Sequence, residues 1–177
     1  MKCIIPQPLQ AAAFAAYGQV IEPDANRRRL INGGATERYH GLASADCGAD
    51  GAAILSIFRT VPKPIPLQLT RLERHPLGSQ AFVPMERRPW LVVVADRPVA
   101  RECRVFIARG DQGVQFAKNI WHHPLIALGA AQDFLVVDRE GPGKNFEAVD
   151  FDQPIEINLA EQDIPRNVLA ACSGGLR

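Results

Sequence analysis

The chain has 177 residues, 47% of them hydrophobic and 22% charged, with a formal net charge of +1. That length suits one domain with a real core. The even charge balance argues against a polyanionic partner, and the broad basic surface that nucleic acid requires is missing. The four cysteines, Cys3, Cys47, Cys103 and Cys172, are scattered with no C-x-x-C or Cys/His spacing. A zinc knuckle is therefore disfavoured, and the thiols read as reduced and cytosolic.

In chain order, "MKCIIPQPLQAAAFAAYG" opens with a lysine and apolar residues, but Pro6, Gln7, Pro8 and Gln10 break it before a signal-peptide core can form. Its second half, "QAAAFAAYG", predicts a short helix stopped by Gly18. No run is long enough to span a membrane, and a cytoplasmic location is expected. "ANRRRL" carries Arg27 to Arg29 and reads as a solvated loop or strand edge. In "INGGATERYHGLA", Gly33-Gly34 makes a turn, after which alternation sets Arg38 and His40 on one face and Tyr39 on the other. "AAILSIFRTV", "SQAFVPM", "PWLVVVAD", "QDFLVVDREG" and "PIEINL" predict strands. "CRVFIARGDQGVQFAKNIWHH" predicts two strands around a hairpin turn at "RGDQG", and "LTRLERH" has the spacing of a helical turn. Fourteen prolines and fourteen glycines keep the pieces short. Helices and strands do not alternate, so the fold class is mainly all-β: an antiparallel barrel or sandwich with one or two short helices. One domain spans 1–177, with the tail from about 166, "NVLAACSGGLR", loosely held.

The chemistry concentrates in the four histidines, His40, His75, His122 and His123. In an extended segment His122 and His123 point to opposite faces, so one alone can enter a pocket. Pro124 follows His123, which makes His122 the inward residue and His123 a structural or interface one. "LERHPLGSQAFVPM" places His75 shortly before Gln80 and an apolar strand. This pair of phrases resembles the two-part signature of cupin barrels, in which side chains from separate strands converge on one cavity. Imidazoles there can ligate a divalent ion or move protons near neutral pH. His75, Gln80 and His122 fit that pattern, fewer donors than the usual three histidines and a glutamate, so a metal-free pocket is the competing reading. Arg38 and Arg74 are the candidate forks for a substrate carboxylate. Tyr39, His40 and Lys118 complete the polar candidates, each with an ordinary surface contact as its plain alternative. "WLVVVA" (90–95) is apolar at every position and needs cover on both faces, from a second copy or from the tail or first helix.

Taken together, "IIPQPL…AFAAYGQVIE", "RYHGLA", "LERHPLGSQAFVPM", "FIARGDQGV" and "IWHHPLIAL…DFLVVDR" resemble the ureidoglycolate lyase family from about Ile4 to Arg139, in order. The resemblance implies a cupin-like β-barrel, a homodimer, and a carbon–nitrogen lyase of allantoin breakdown that converts (S)-ureidoglycolate to glyoxylate and urea. It also implies nickel or another divalent ion. On it, His75 and His122 are the catalytic candidates, and Arg38, Tyr39, His40, Arg74, Gln80 and Lys118 the substrate-binding ones. His75, Gln80 and His122 are the ligands if an ion is bound. Phe116-Ala117 departs from the polar residue expected before "WHHPL". The alternatives are a hydrolase releasing ammonia and carbon dioxide, and a non-catalytic cupin that binds a small carboxylate.

Overall fold

The computed structural model describes residues 3–159. The expected loose tail from Asn167 lies outside them. The strands are β1 (Cys3–Ile4), β2 (Gln7–Pro8), β3 (Gly18–Ile21), β4 (Arg28–Ile31), β5 (Thr36–Tyr39), β6 (Ala52–Thr60), β7 (Leu67–Arg74) and β8 (Gln80–Pro84). They continue with β9 (Trp90–Ala95), β10 (Arg104–Ala108), β11 (Gly113–Phe116), β12 (Trp121–His122), β13 (Ile126–Ala127), β14 (Gln132–Glu140) and β15 (Glu147–Ile157). The one α-helix among the described residues, α1 (Ala11–Phe14), sits where "QAAAFAAYG" predicts it.

The strands form two packed sheets, a cupin-like sandwich rather than a closed barrel. The larger runs β1-β15-β7-β12-β9-β10-β2, with β13 also on β9; the smaller runs β3-β11-β8-β14-β6. β4 and β5 pair only with each other. Phe14, Phe82, Val92, Val94, Phe116 and Phe134 fill the layer between the sheets. The far face of the larger sheet forms a second core, built on Leu69, Leu72, Val93, Trp121 and Ile155.

One expectation with two alternatives is decided here, and two others change. All six residues of "WLVVVA" are buried within one chain. Trp90, Val92 and Val94 join the first core, while Leu91, Val93 and Ala95 join the second, together with Ile157 and Leu159. Both faces are buried within the one chain, so this strand does not require a second copy. Second, "RGDQG" is no hairpin: β10 pairs β9 and β2, whereas β11 pairs β3 and β8. The turn carries the chain from one sheet to the other. Gly110 permits it, because a Cβ there would lie 1.9 Å from the Arg87 carbonyl. The buried Gln112 side chain then ties the turn down, accepting from Arg109 N–H (2.9 Å) and donating to Leu9 (3.2 Å). Third, "LTRLERH" is strand, not a helical turn. β7 is hydrogen-bonded on both sides, to β15 and β12. Tertiary pairing outweighs the weak local spacing of its leucines.

Candidate functional site

The site is assembled across β7 and β12. His122 lies directly opposite Glu73 on β7 and Val94 on β9. Cross-strand partners share a face. Val94 belongs to the core between the sheets, so Glu73 and His122 face that interior. His75, two residues past Glu73, returns to the same side. The alternate residues Leu72 and Trp121 join the outer core, and Arg74 stacks over the Trp121 ring at 4.5 Å.

One donor atom from each of Glu73, His75 and His122 falls in a group spanning no more than 4.8 Å. His122 Nε2 lies 3.8 Å from Glu73 Oε1, too far for a hydrogen bond. The rings of His75 and His122 are 5.3 Å apart. Each imidazole is oriented by its other nitrogen. His75 Nδ1–H donates to the Asn145 carbonyl at 2.8 Å, and His122 Nδ1–H to the Ile120 carbonyl at 3.0 Å. Those bonds leave both Nε2 lone pairs turned toward the cluster. Both Nε2 atoms are buried with no protein partner, and so is Oε1 of Gln80.

Phe116 stacks on His122 at 4.2 Å with 13° between the planes. The aromatic residue that departs from the polar expectation thus walls in the histidine. Burial pushes the His122 pKa down to about 3, with smaller contributions from His75 and His123, so the ring is neutral at physiological pH. Burial pushes Glu73 upward, against the lowering pull of His75 and Arg71. Beside the cluster, a cavity of about 300 Å³ is lined by Glu73 and Gln80, by Phe82, by Pro124 and Leu125 after β12, and by Phe58, Arg59 and Thr60 at the end of β6.

The donor set fits a divalent ion. Two imidazole Nε2 atoms and a carboxylate oxygen suit nickel, zinc or iron, and backbone carbonyls already orient the rings. Two donors, each about 2.1 Å from an ion, lie up to about 4.2 Å apart, a span that accommodates the Glu73–His122 separation. Glu73 is the residue the sequence reading missed. The alternation that distinguishes His122 from His123 also puts Glu73 and His75 on one face of "LERH".

The other candidates lie elsewhere. His123 is buried within the chain, its Nδ1 on the Pro124 carbonyl at 2.7 Å; burial drives its pKa to about 4, with Lys63 and Arg71 adding to the shift. It therefore presents no surface to a partner. Arg74 binds Glu147 through Nε (2.7 Å) and a terminal nitrogen (2.6 Å). Lys118 pairs with Asp46 at 3.2 Å. Arg38, Tyr39 and His40 belong to the β4–β5 hairpin and its exit, and none of the three lines the cavity.

Comparison with known proteins identifies the family. The ureidoglycolate lyase family model matches residues 1–158. A ureidoglycolate lyase of Rhizobium etli (strain CIAT 652) is 53% identical over 154 residues, covering 85% of this chain and 93% of its own. Ureidoglycolate lyase 1 of Rhizobium meliloti is 53% identical over 156 residues, covering 85% and 91%. A ureidoglycolate lyase of Burkholderia mallei (strain NCTC 10229) is 49% identical over 171 residues, covering 95% and 93%. With this family pattern matched along nearly all of its described length, the chain belongs to the ureidoglycolate lyase family.

Proposed function

We propose that the chain cleaves (S)-ureidoglycolate to glyoxylate and urea as a carbon–nitrogen lyase of allantoin breakdown, acting in the cytoplasm as a homodimer. The observation that carries this reading is the Glu73–His75–His122 cluster, with two lone pairs free and turned inward, in a chain of this family.

The reaction asks for three things. The hydroxyl proton must leave as the carbonyl forms, the carbon–nitrogen bond must break, and the departing nitrogen must gain a proton. When no ion is held, His75, half-buried and without a partner on Nε2, can accept the hydroxyl proton and return it to the urea nitrogen. His122, neutral and clamped between Phe116 and the Ile120 carbonyl, positions the reacting carbon. The Gln80 oxygen accepts from the ureido N–H groups. Phe58, Phe82 and Leu125 keep bulk water away. Glu73, His75 and His122 would hold a divalent ion, nickel on the family resemblance, with Gln80 beside it. When bound, such an ion polarises the substrate oxygens and lowers the hydroxyl pKa.

Turnover of racemic ureidoglycolate, with urea and ammonia measured separately and with and without a chelator, tests the reading. Urea in step with glyoxylate supports the lyase. Ammonia with no urea would replace it by the hydrolase. Glyoxylate binding without turnover would leave a carboxylate-binding cupin.

A further inference from the structure

The cavity lacks a carboxylate anchor. Its one lining guanidinium, Arg59, gives both prongs to Asp133, at 2.7 and 2.8 Å. Meanwhile the β4–β5 hairpin carries unused guanidinium groups. Arg29 stands directly opposite Arg38 in its register, and His40 follows two residues on, on the same face. Like charges directly opposite on a ribbon are unfavourable. Among the described residues no carboxylate offsets either arginine. The hairpin's other face is satisfied: Arg28 pairs with Glu37 at 2.6 Å, and Tyr39 donates to Glu37 at 2.9 Å. The unpaired face is built to receive an anion.

Among the described residues the ribbon joins neither larger sheet. Its two strands pair only with each other, and Leu30 is 58% exposed. A lone two-stranded ribbon is marginal in water. It leaves the smaller sheet beside β3, whereas the cavity rim formed by Phe58 and Thr60 lies on β6, at that sheet's opposite edge. β6 is a nine-residue edge strand, bonded only to β14 among the described residues, and it presents Leu55 and Ile57 to solvent. A long apolar edge of this kind calls for a covering strand.

We propose that the β4–β5 hairpin of one copy docks against β6 of a second copy, and that its Arg29 and Arg38 hold the substrate carboxylate at the second copy's cavity. Joined edge to edge, Leu30 would cover Leu55 and Ile57 on one face, while Ile31, Arg29 and Arg38 would lie on the other, the face of Phe58 and Thr60. Each site would then be complete only in the dimer. This deepens the proposed function and rests on its reading of the cavity as the ureidoglycolate site.

Two measurements test it. In the first, Arg38→Ala and His122→Ala chains are co-expressed with different tags, and the heterodimer is isolated by tandem purification. Assayed with substrate well below KM, each variant alone has about a tenth of wild-type activity or less. The heterodimer holds one cavity with His122 intact and an intact Arg38 delivered from its partner, so it recovers about half of wild-type turnover, one site in two. A heterodimer no more active than its parents, beside an active wild type, overturns delivery between copies while leaving the lyase reading in place. The second measurement needs no activity. Sedimentation of Leu30→Glu/Ile31→Glu should show a dimer turned monomer that keeps the wild-type circular dichroism spectrum. A monomeric wild type, or a double variant that stays dimeric, overturns the docking whether or not ureidoglycolate is the substrate.

Discussion

The sandwich interior and the β4–β5 hairpin place their polar groups by opposite means. Around the cavity, His75 and His122 are fixed by backbone carbonyls, walled by Phe116 and held out of water. On the hairpin, Arg29 and Arg38 stand on a ribbon whose strands, among the described residues, pair only with each other, and the two charges are the leading causes that push the neighbouring His40 downward. Buried groups are preorganised at a cost in desolvation, and exposed ones stay available. Changes in the first region should therefore strike stability and chemistry together. Changes in the second should strike binding and leave the fold intact.

The largest expected effect is on chemistry. His122→Ala should lower the turnover number about 10²- to 10⁴-fold, whereas His123→Ala should lower it far less, since His123 bonds to the Pro124 carbonyl, away from the cluster. Melting curves of both variants separate lost chemistry from lost fold. Equal losses of turnover in two folded variants would erase the distinction between the two histidines. Next comes Phe116→Ala, which removes a buried ring touching His122, Phe14 and Phe82. It should cost about 3–5 kcal/mol of stability, read by urea denaturation. A loss under 1 kcal/mol would show that the wall is not close-packed.

The pH dependence of stability sharpens the comparison further. His122 and His123, with pKa values pushed to about 3 and about 4, stay neutral in the folded chain while they protonate in the unfolded one. The unfolded state thus takes up more protons as pH falls below about 6.5, and stability drops by about 1.4 kcal/mol per pH unit per histidine. The loss runs down to about pH 4, where His123 begins to protonate in place. Glu73, pushed upward, works the other way and offsets part of it. Denaturant midpoints between pH 7 and 4.5 measure the slope, and a flat profile would mean that the histidines are not buried in solution. The smallest effect on the fold belongs to the hairpin. Arg29→Ala should raise KM about tenfold or more while leaving the melting temperature where it was.

Much of this architecture was legible in the sequence. The helix before Gly18 and the strands at 52–60, 80–84, 90–95 and 132–140 follow from apolar runs bounded by Gly and Pro, because one layer of burial sets their pattern. β7 was not legible: its leucines serve a core on the far side of the sheet, and its strand state comes from β12 and β15, distant in the chain. The turn at "RGDQG" looked like a hairpin because local turn chemistry cannot say which sheet receives the next strand. Of the site, His75, Gln80 and His122 could be picked out as rare polar residues beside apolar strands. Glu73 was hidden among ordinary surface-type charges in "LERH", and only the pairing of β7 with β12 reveals its partner. The arginines resist sequence reading most, since an exposed ion pair and a substrate anchor have the same composition.

The most direct measurement is the initial rate of urea release from (S)-ureidoglycolate by Glu73→Gln beside wild type, in protein of equal melting temperature. If Glu73, His75 and His122 form the reaction centre, the near-isosteric amide keeps the fold and the rate falls at least about 10²-fold. A rate within a few-fold of wild type would contradict the account and move the chemistry away from this cluster.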